Sequence, residues 1–322
     1  MQRKLYVGLI ISACLSAALY LAFIVATDSA RIWATMGRLG WLGWGMVLAL
    51  SLFNYGLRFL RWEACLRRLS AVRIERWLHW LYYLAGFAFT TTPGKAGEAL
   101  RGVFLKQHGL DYRASLAAFL YERVLDLAAV VAMAALAAQA FPRYTFVLWL
   151  TLAAVAAGLW LLLSGTLTAR LRWLQDRLGG RVSALAGKLV ALLGDAATVL
   201  AWRPLLGGLV VGLVAWGAEG LGLYYALHAL GASVSLPLTL GVYALSMLVG
   251  ALSFVPGGLG TAEATMVLCL TSLGCPLPTA LTATLICRAA TLWFAVVLGL
   301  LACLGISLRG RLMAAASPHT AP

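Results

Sequence analysis

Charge is scarce in this 322-residue chain: Asp, Glu, Lys and Arg make up 11% of it, against roughly a quarter in an ordinary soluble domain. No stretch is polar enough, over a sufficient length, to fold as a separate aqueous domain. Histidine occurs four times, at scattered positions, which leaves no zinc constellation. The six cysteines, Cys14, Cys65, Cys269, Cys275, Cys287 and Cys303, contain no CxxC pair. Most lie in apolar runs and read as small buried hydrophobes, not as a disulfide or metal framework. HExxH, Walker and GxSxG sequences are missing, as is an obvious paired-Asp metal site, so the common hydrolase and ATPase chemistries have no footing. No cofactor is expected.

Apolar sequence fills the space: 62% of the residues are hydrophobic, in runs long enough to cross hydrocarbon. Six full spans are expected, near 5–26, 41–60, 114–138, 144–164, 205–230 and 279–306. The first has too long an apolar core for a signal peptide. Two further segments, 77–107 and 237–274, are interrupted by Pro93-Gly94 and Pro256-Gly257. Broken helices are tolerated at membrane depth only where protein or a wet cavity covers the freed backbone. Each segment is therefore read as a re-entrant hairpin, the first limb of the second being long enough to cross. The expected fold is one all-α polytopic membrane domain over 1–322.

The net charge of +14 suggests nucleic acid, but its distribution does not. Lys and Arg sit between apolar spans, the signature of the positive-inside rule. Segment 58–76 holds Arg58, Arg61, Arg67, Arg68, Arg73 and Arg76; 101–113 holds Arg101, Lys106 and Arg113; 166–203 and the tail, with Arg309 and Arg311, are also rich. The opposite loops hold Arg31, Arg38 and Arg143. The rich face, with both termini, should be cytoplasmic and should meet anionic lipids. Within 166–200, leucines and Val182 recur at helical spacing among basic residues. That predicts one amphipathic helix lying on the cytoplasmic leaflet.

The two hairpins resemble each other. Phe89 to Ala99 and Phe254 to Ala264 share Pro-Gly and a glutamate, Glu98 or Glu263. Each leads to a glycine, Gly109 or Gly274, with an arginine fourteen residues on, Arg123 or Arg288. The span count orients the two units oppositely. Unit one (about 77–138) and unit two (about 237–306) are thus expected to be inverted repeats, as in many secondary transporters, with tips meeting near mid-membrane.

Eight charged residues fall inside these spans and hairpins: Lys95, Glu98, Glu122, Arg123, Asp126, Glu219, Glu263 and Arg288. Insertion scales charge roughly 2.5–3.5 kcal/mol for each at a helix centre, on the order of 20–28 kcal/mol if all stood alone. Most must pair, face a cavity or lie near the interface. Arg123 and Asp126 can meet within one helix. Arg288 needs a partner from another segment, the backbone or a ligand. Glu219 is a titrating site or that partner. Glu98 and Glu263 could compensate helix dipoles in a first turn. Lys95 at a helix start, Gly94, the Gly257-Gly258 backbone, and hydroxyls of Thr90, Thr91, Thr92, Ser253 and Thr261 form a candidate phosphate cradle.

The Pro93-Gly94-Lys95-Ala96-Gly97-Glu98…Arg101 run, Glu122-Arg123…Asp126, Pro256-Gly257-Gly258-Leu259-Gly260…Glu263 and Arg288 resemble the flippase-like membrane domain of lysylphosphatidylglycerol synthase. The resemblance covers about 5–308 and implies lipid translocation in a bacterial inner membrane. No aminoacyl-transferase domain follows, so synthesis of the aminoacyl lipid is not expected. Lys95, Arg123 and Arg288, with Glu98, Gly94, Gly257 and Gly258, are the expected contacts for an anionic lipid. Glu122, Asp126, Glu219 and Glu263 are coupling or structural charges. Charge removal at Arg123 or Arg288 should stop transport without preventing insertion. A membrane-embedded lipid-modifying enzyme and an ion-coupled small-anion transporter are the rival readings, and a homo-oligomer is compatible with each.

Overall fold

The computed structural model describes residues 36–138, 140–142, 145–177 and 179–316. The expected span at 5–26, both chain ends, Arg31 and Arg143 lie outside them. The described elements are helical throughout. The helices are α1 (Gly40–Leu69), α2 (Arg76–Phe87), α3 (Arg101–Lys106), α4 (Tyr112–Ala134), α5 (Thr145–Leu163), α6 (Thr166–Arg177), α7 (Gly180–Val199), α8 (Trp202–Ala229), α9 (Leu236–Leu252), α10 (Thr261–Ser272), α11 (Leu277–Arg288) and α12 (Phe294–Ala316). Short 3-10 helices Pro93–Leu100 and Pro256–Gly258 form the hairpin tips, and a π turn, Ala289–Trp293, joins α11 to α12. The stretches Gly180–Val199, Trp202–Ala229 and Leu277–Arg309 are each apolar and long enough to cross a bilayer. α9, with 17 residues, is about 25 Å long at 1.5 Å per residue, close to the lower limit for crossing.

Local chemistry explains the breaks. Pro93 and Pro256 each open a 3-10 turn, because proline fits a first helical position but cannot donate within a continuing helix. Gly257 and Gly258 follow with φ of +64° each, a region that side chains rarely adopt. The two tips then pack directly against each other.

The packing between the two units is reciprocal. α2, the first limb of unit one, lies on α12, the last helix of unit two. α9, the first limb of unit two, lies on α4, the long helix of unit one. Glycine permits the close approach at both seams. Gly299 of α12 faces the backbone of Phe87 and Ala88, and a Cβ on Gly241 of α9 would stand 2.5 Å from the Ala137 nitrogen. Backbone cannot swing aside as a side-chain end can. Gly241→Ala is therefore expected to cost about 1–3 kcal/mol, seen as a lower melting temperature of the detergent-solubilised protein. An unchanged melting curve would show that the seam has slack.

Two expectations are corrected here. Segment 166–200 is not one helix: it breaks at Gly179-Gly180 into α6 and α7, which pack side by side. Gly180 takes φ +66°, which allows the chain to turn between them. Arg58, Arg61 and Arg101 are not loop charges. They are 3%, 5% and 1% exposed, and therefore belong to the interior rather than to the basic face. Arg67, Arg68, Arg73 and Arg76 are exposed.

Candidate functional site

The buried arginines answer the question of what neutralises the acids of α4. Asp126 receives Arg58 Nη2 at 2.9 Å, Arg123 Nη2 at 3.0 Å, Arg61 Nη2, and the Trp216 indole N–H at 3.2 Å. Glu122 receives Arg101 Nη2 at 2.8 Å, the Tyr83 hydroxyl at 2.7 Å and Arg58 Nη2 at 3.4 Å. Glu98 accepts from Thr90 at 2.8 Å and pairs with Arg101 at 3.1 Å and Arg123 at 3.4 Å. Four arginines thus share three carboxylates in one network. The Arg101 guanidinium also lies over Trp62, 4.2 Å from its ring centre, and over Tyr83 at 4.6 Å. The acids are well supplied with donors. Arg58 Nε, Arg61 Nε, Arg101 Nη1 and Arg123 Nε have no hydrogen-bond partner, so the surplus is cationic.

Unit two repeats the motif in reduced form. Arg288 Nε meets Glu263 at 2.6 Å, and its Nη2 donates to the Gly257 carbonyl at 2.7 Å. Glu98 to Arg123 and Glu263 to Arg288 are both pairs twenty-five residues apart. Glu263 also accepts the Gly260 N–H at 2.8 Å, so the first-turn role expected of it is met. Glu98 differs: it sits late in its tip helix and is held by arginines rather than by first-turn amides. Glu219 accepts from the Tyr243 hydroxyl, while the carboxylate engaged by Arg288 is Glu263.

Between the units lies a cavity of about 190 Å³. Lys95, Arg123 and Arg288 all border it, with Arg58, Glu98, Asp126, Glu219, Gly257 and Gly258. Glu122 and Glu263 are buried and do not border it, and Gly94 lies in the first tip helix. Tyr55, Phe87, Trp216 and Tyr243 supply aromatic wall, and Leu248 and Leu292 apolar wall. The π turn after Arg288 contributes Thr291, whose carbonyl accepts from Tyr55 at 2.6 Å. A π turn interrupts the regular ladder and leaves such an acceptor available.

Lys95 stands apart from the other cations. Its ammonium has no ion pair among the described residues and rests over Trp216, 5.3 Å from the ring centre. Its backbone takes φ +55°, unusual for a residue with a side chain. Such strain persists only where the surroundings impose it, and it concentrates at functional sites.

Several amides of the expected backbone cradle are already engaged. At the second tip, the N–H groups of Gly258, Leu259 and Gly260 already donate to Val255, Pro256 and Glu263. At the first, Lys95 N–H donates to Thr92. Ser253 and Thr261 bond to each other at 3.0 Å and do not border the cavity, whereas Thr90 and Thr92 do. The charge bordering this cavity is that of side chains, Arg58, Lys95, Arg123 and Arg288 beside Glu98, Asp126 and Glu219. Arg58, Trp216 and Tyr243 escaped the sequence reading. Arg58 at the edge of an apolar run carried the only available signal.

A helical chain with buried ions around an interior cavity and broad exposed apolar surfaces is a multi-pass membrane protein. Residues 6–299 match the family described as the lysylphosphatidylglycerol synthase TM region, and the chain belongs to that family. No curated protein matches it.

Proposed function

We propose that this protein carries the head group of an anionic, phosphate-bearing lipid between the two leaflets of its membrane. The observation that bears most weight is the placing of Lys95, Arg123 and Arg288 on one cavity with aromatic and apolar walls. Family membership supports a lipid role. At about 190 Å³ the cavity is smaller than the roughly 300–1,000 Å³ of drug-sized pockets. A head group fits there; acyl chains stay outside in lipid.

Lys95 is the cation with least to lose. A phosphate that draws its ammonium off Trp216 breaks no ion pair. Arg123, whose side chain is 20% exposed, borders the same cavity. The units, read as inverted repeats, rock about the two tips to expose the cavity to each leaflet in turn. Equal Glu–Arg spacing and reciprocal packing favour that reading. The test is mass spectrometry of lipid that copurifies with the protein, joined to a flipping assay in proteoliposomes. An anionic phospholipid retained in stoichiometric amount and moved between leaflets is expected. Retention of neutral lipids alone would overturn the proposal, as would product formation without movement.

A further inference from the structure

A second cavity, of about 360 Å³, lies behind the first, where α1, α4 and α8 meet the end of α7. It is bordered by Leu60, Arg61, Arg68, Tyr121, Arg203 and Val211, among others. The two cavities stand back to back across one ion pair. Arg61 borders the second and binds Asp126, which borders the first. The lining of the second cavity is tightly built where α4 meets α8. Tyr121 donates to the Pro204 carbonyl at 2.9 Å, and a Cβ on Gly208 would come within 2.6 Å of the Tyr121 oxygen.

Three features of the second cavity point to one ligand class. First, no carboxylate borders it, and neither Arg68 nor Arg203 has an acidic partner among the described residues. Arg61, 5% exposed, also leaves its Nε without a partner. Guanidinium groups suit phosphate because their planar donors match its oxygens in pairs. Second, the rest of the lining is largely apolar, and its α8 residues Arg203, Gly207 and Val211 stand within one helical turn of Leu206, Val210 and Val214, which are 53%, 59% and 50% exposed. Third, Arg203 lies over Trp202, 5.1 Å from the ring centre, and Trp202 is itself exposed. Tryptophan beside a basic residue is typical of the head-group level of a membrane. A soluble phosphate ion would use the arginines and leave the strip unexplained; a neutral lipid would do the reverse.

We propose that this second cavity holds the phosphate of an anionic glycerophospholipid between Arg68 and Arg203, with the acyl chains along the outer strip of α8. The site is separate from the central cavity and does not depend on transport. Phosphatidylglycerol with a photoreactive acyl chain tests it on the full-length protein in nanodiscs of phosphatidylcholine. Labelling is expected to concentrate on peptides containing Leu206, Val210 and Val214, and to be displaced by unlabelled phosphatidylglycerol. Each cation near an anionic surface changes lipid affinity by about fivefold, so Arg68→Gln and Arg203→Gln together should weaken labelling roughly thirtyfold. Arg203→Lys, which keeps the charge but not the planar pair of donors, should recover only part of it. Labelling that is spread evenly over the apolar helices, or unchanged in the double variant, overturns the site. Displacement by inorganic phosphate as effectively as by phosphatidylglycerol overturns the lipid class.

Discussion

Asp126→Asn is expected to cost about 3–5 kcal/mol of stability. Asp126 is the acceptor at which Arg58, Arg61 and Arg123 converge, and Trp216 donates to it as well. The amide keeps the shape and removes the charge. Arg61 is then left buried with a carbonyl contact at Gly208, 3.4 Å away, as its other hydrogen bond. Net stabilities of folded domains are commonly about 5–15 kcal/mol, so such a loss removes a large share. The yield of monodisperse protein and its melting temperature in detergent measure it. Combining Asp126→Leu with Arg61→Met should recover part of the loss, because an apolar pair replaces an uncompensated charge. Wild-type stability in the single variant would mean that the network is solvated and structurally idle.

Lys95→Gln should do the opposite: lose transport and keep the fold. Its ammonium contributes a cation–π contact to Trp216, and such contacts are worth about 0.5–2 kcal/mol. Removing one charged partner of a buried head group costs about 2 kcal/mol or more, equivalent to roughly thirtyfold in rate or affinity. Proteoliposome flipping should fall by at least about that factor in Lys95→Gln while the melting temperature moves by only a few degrees. Lys95→Arg, which keeps the charge, should restore part of the activity. Full flipping by Lys95→Gln would remove Lys95 from the site. Arg288 no longer offers the clean test that its sequence position suggested. Its loss strands Glu263 and the Gly257 carbonyl, so Arg288→Gln is expected to fold poorly, and its inactivity would carry no mechanistic meaning.

Much of this protein is legible from spacing alone. The helices α4, α5 and α8 begin and end within a few residues of the apolar runs that suggested them. Each tip turn opens at its Pro-Gly pair, a few residues after the preceding helix ends at Phe87 or Leu252, because proline acts on its own turn wherever it sits. The pairing of Arg123 with Asp126 follows from helical geometry within one element. Segment 166–200 failed because heptad-like leucines persist across Gly179-Gly180, and periodicity does not register a chain reversal. Arg58, Arg61 and Arg101 failed because a flanking arginine counts the same whether it ends in water or turns inward.

By itself, then, the sequence determined that the chain is helical and apolar, where the helices break, and which charges stand too deep to be solvated. These depend on composition and on neighbours along the chain. Only the tertiary structure decided which charges meet. It brought Arg58 and Arg61 of α1 onto α4, turned the tip amides inward to their own turns, and left Lys95 over an aromatic ring. Charge pairing in a low-dielectric interior depends on distances of a few ångströms between groups far apart in sequence, and those distances are set by packing.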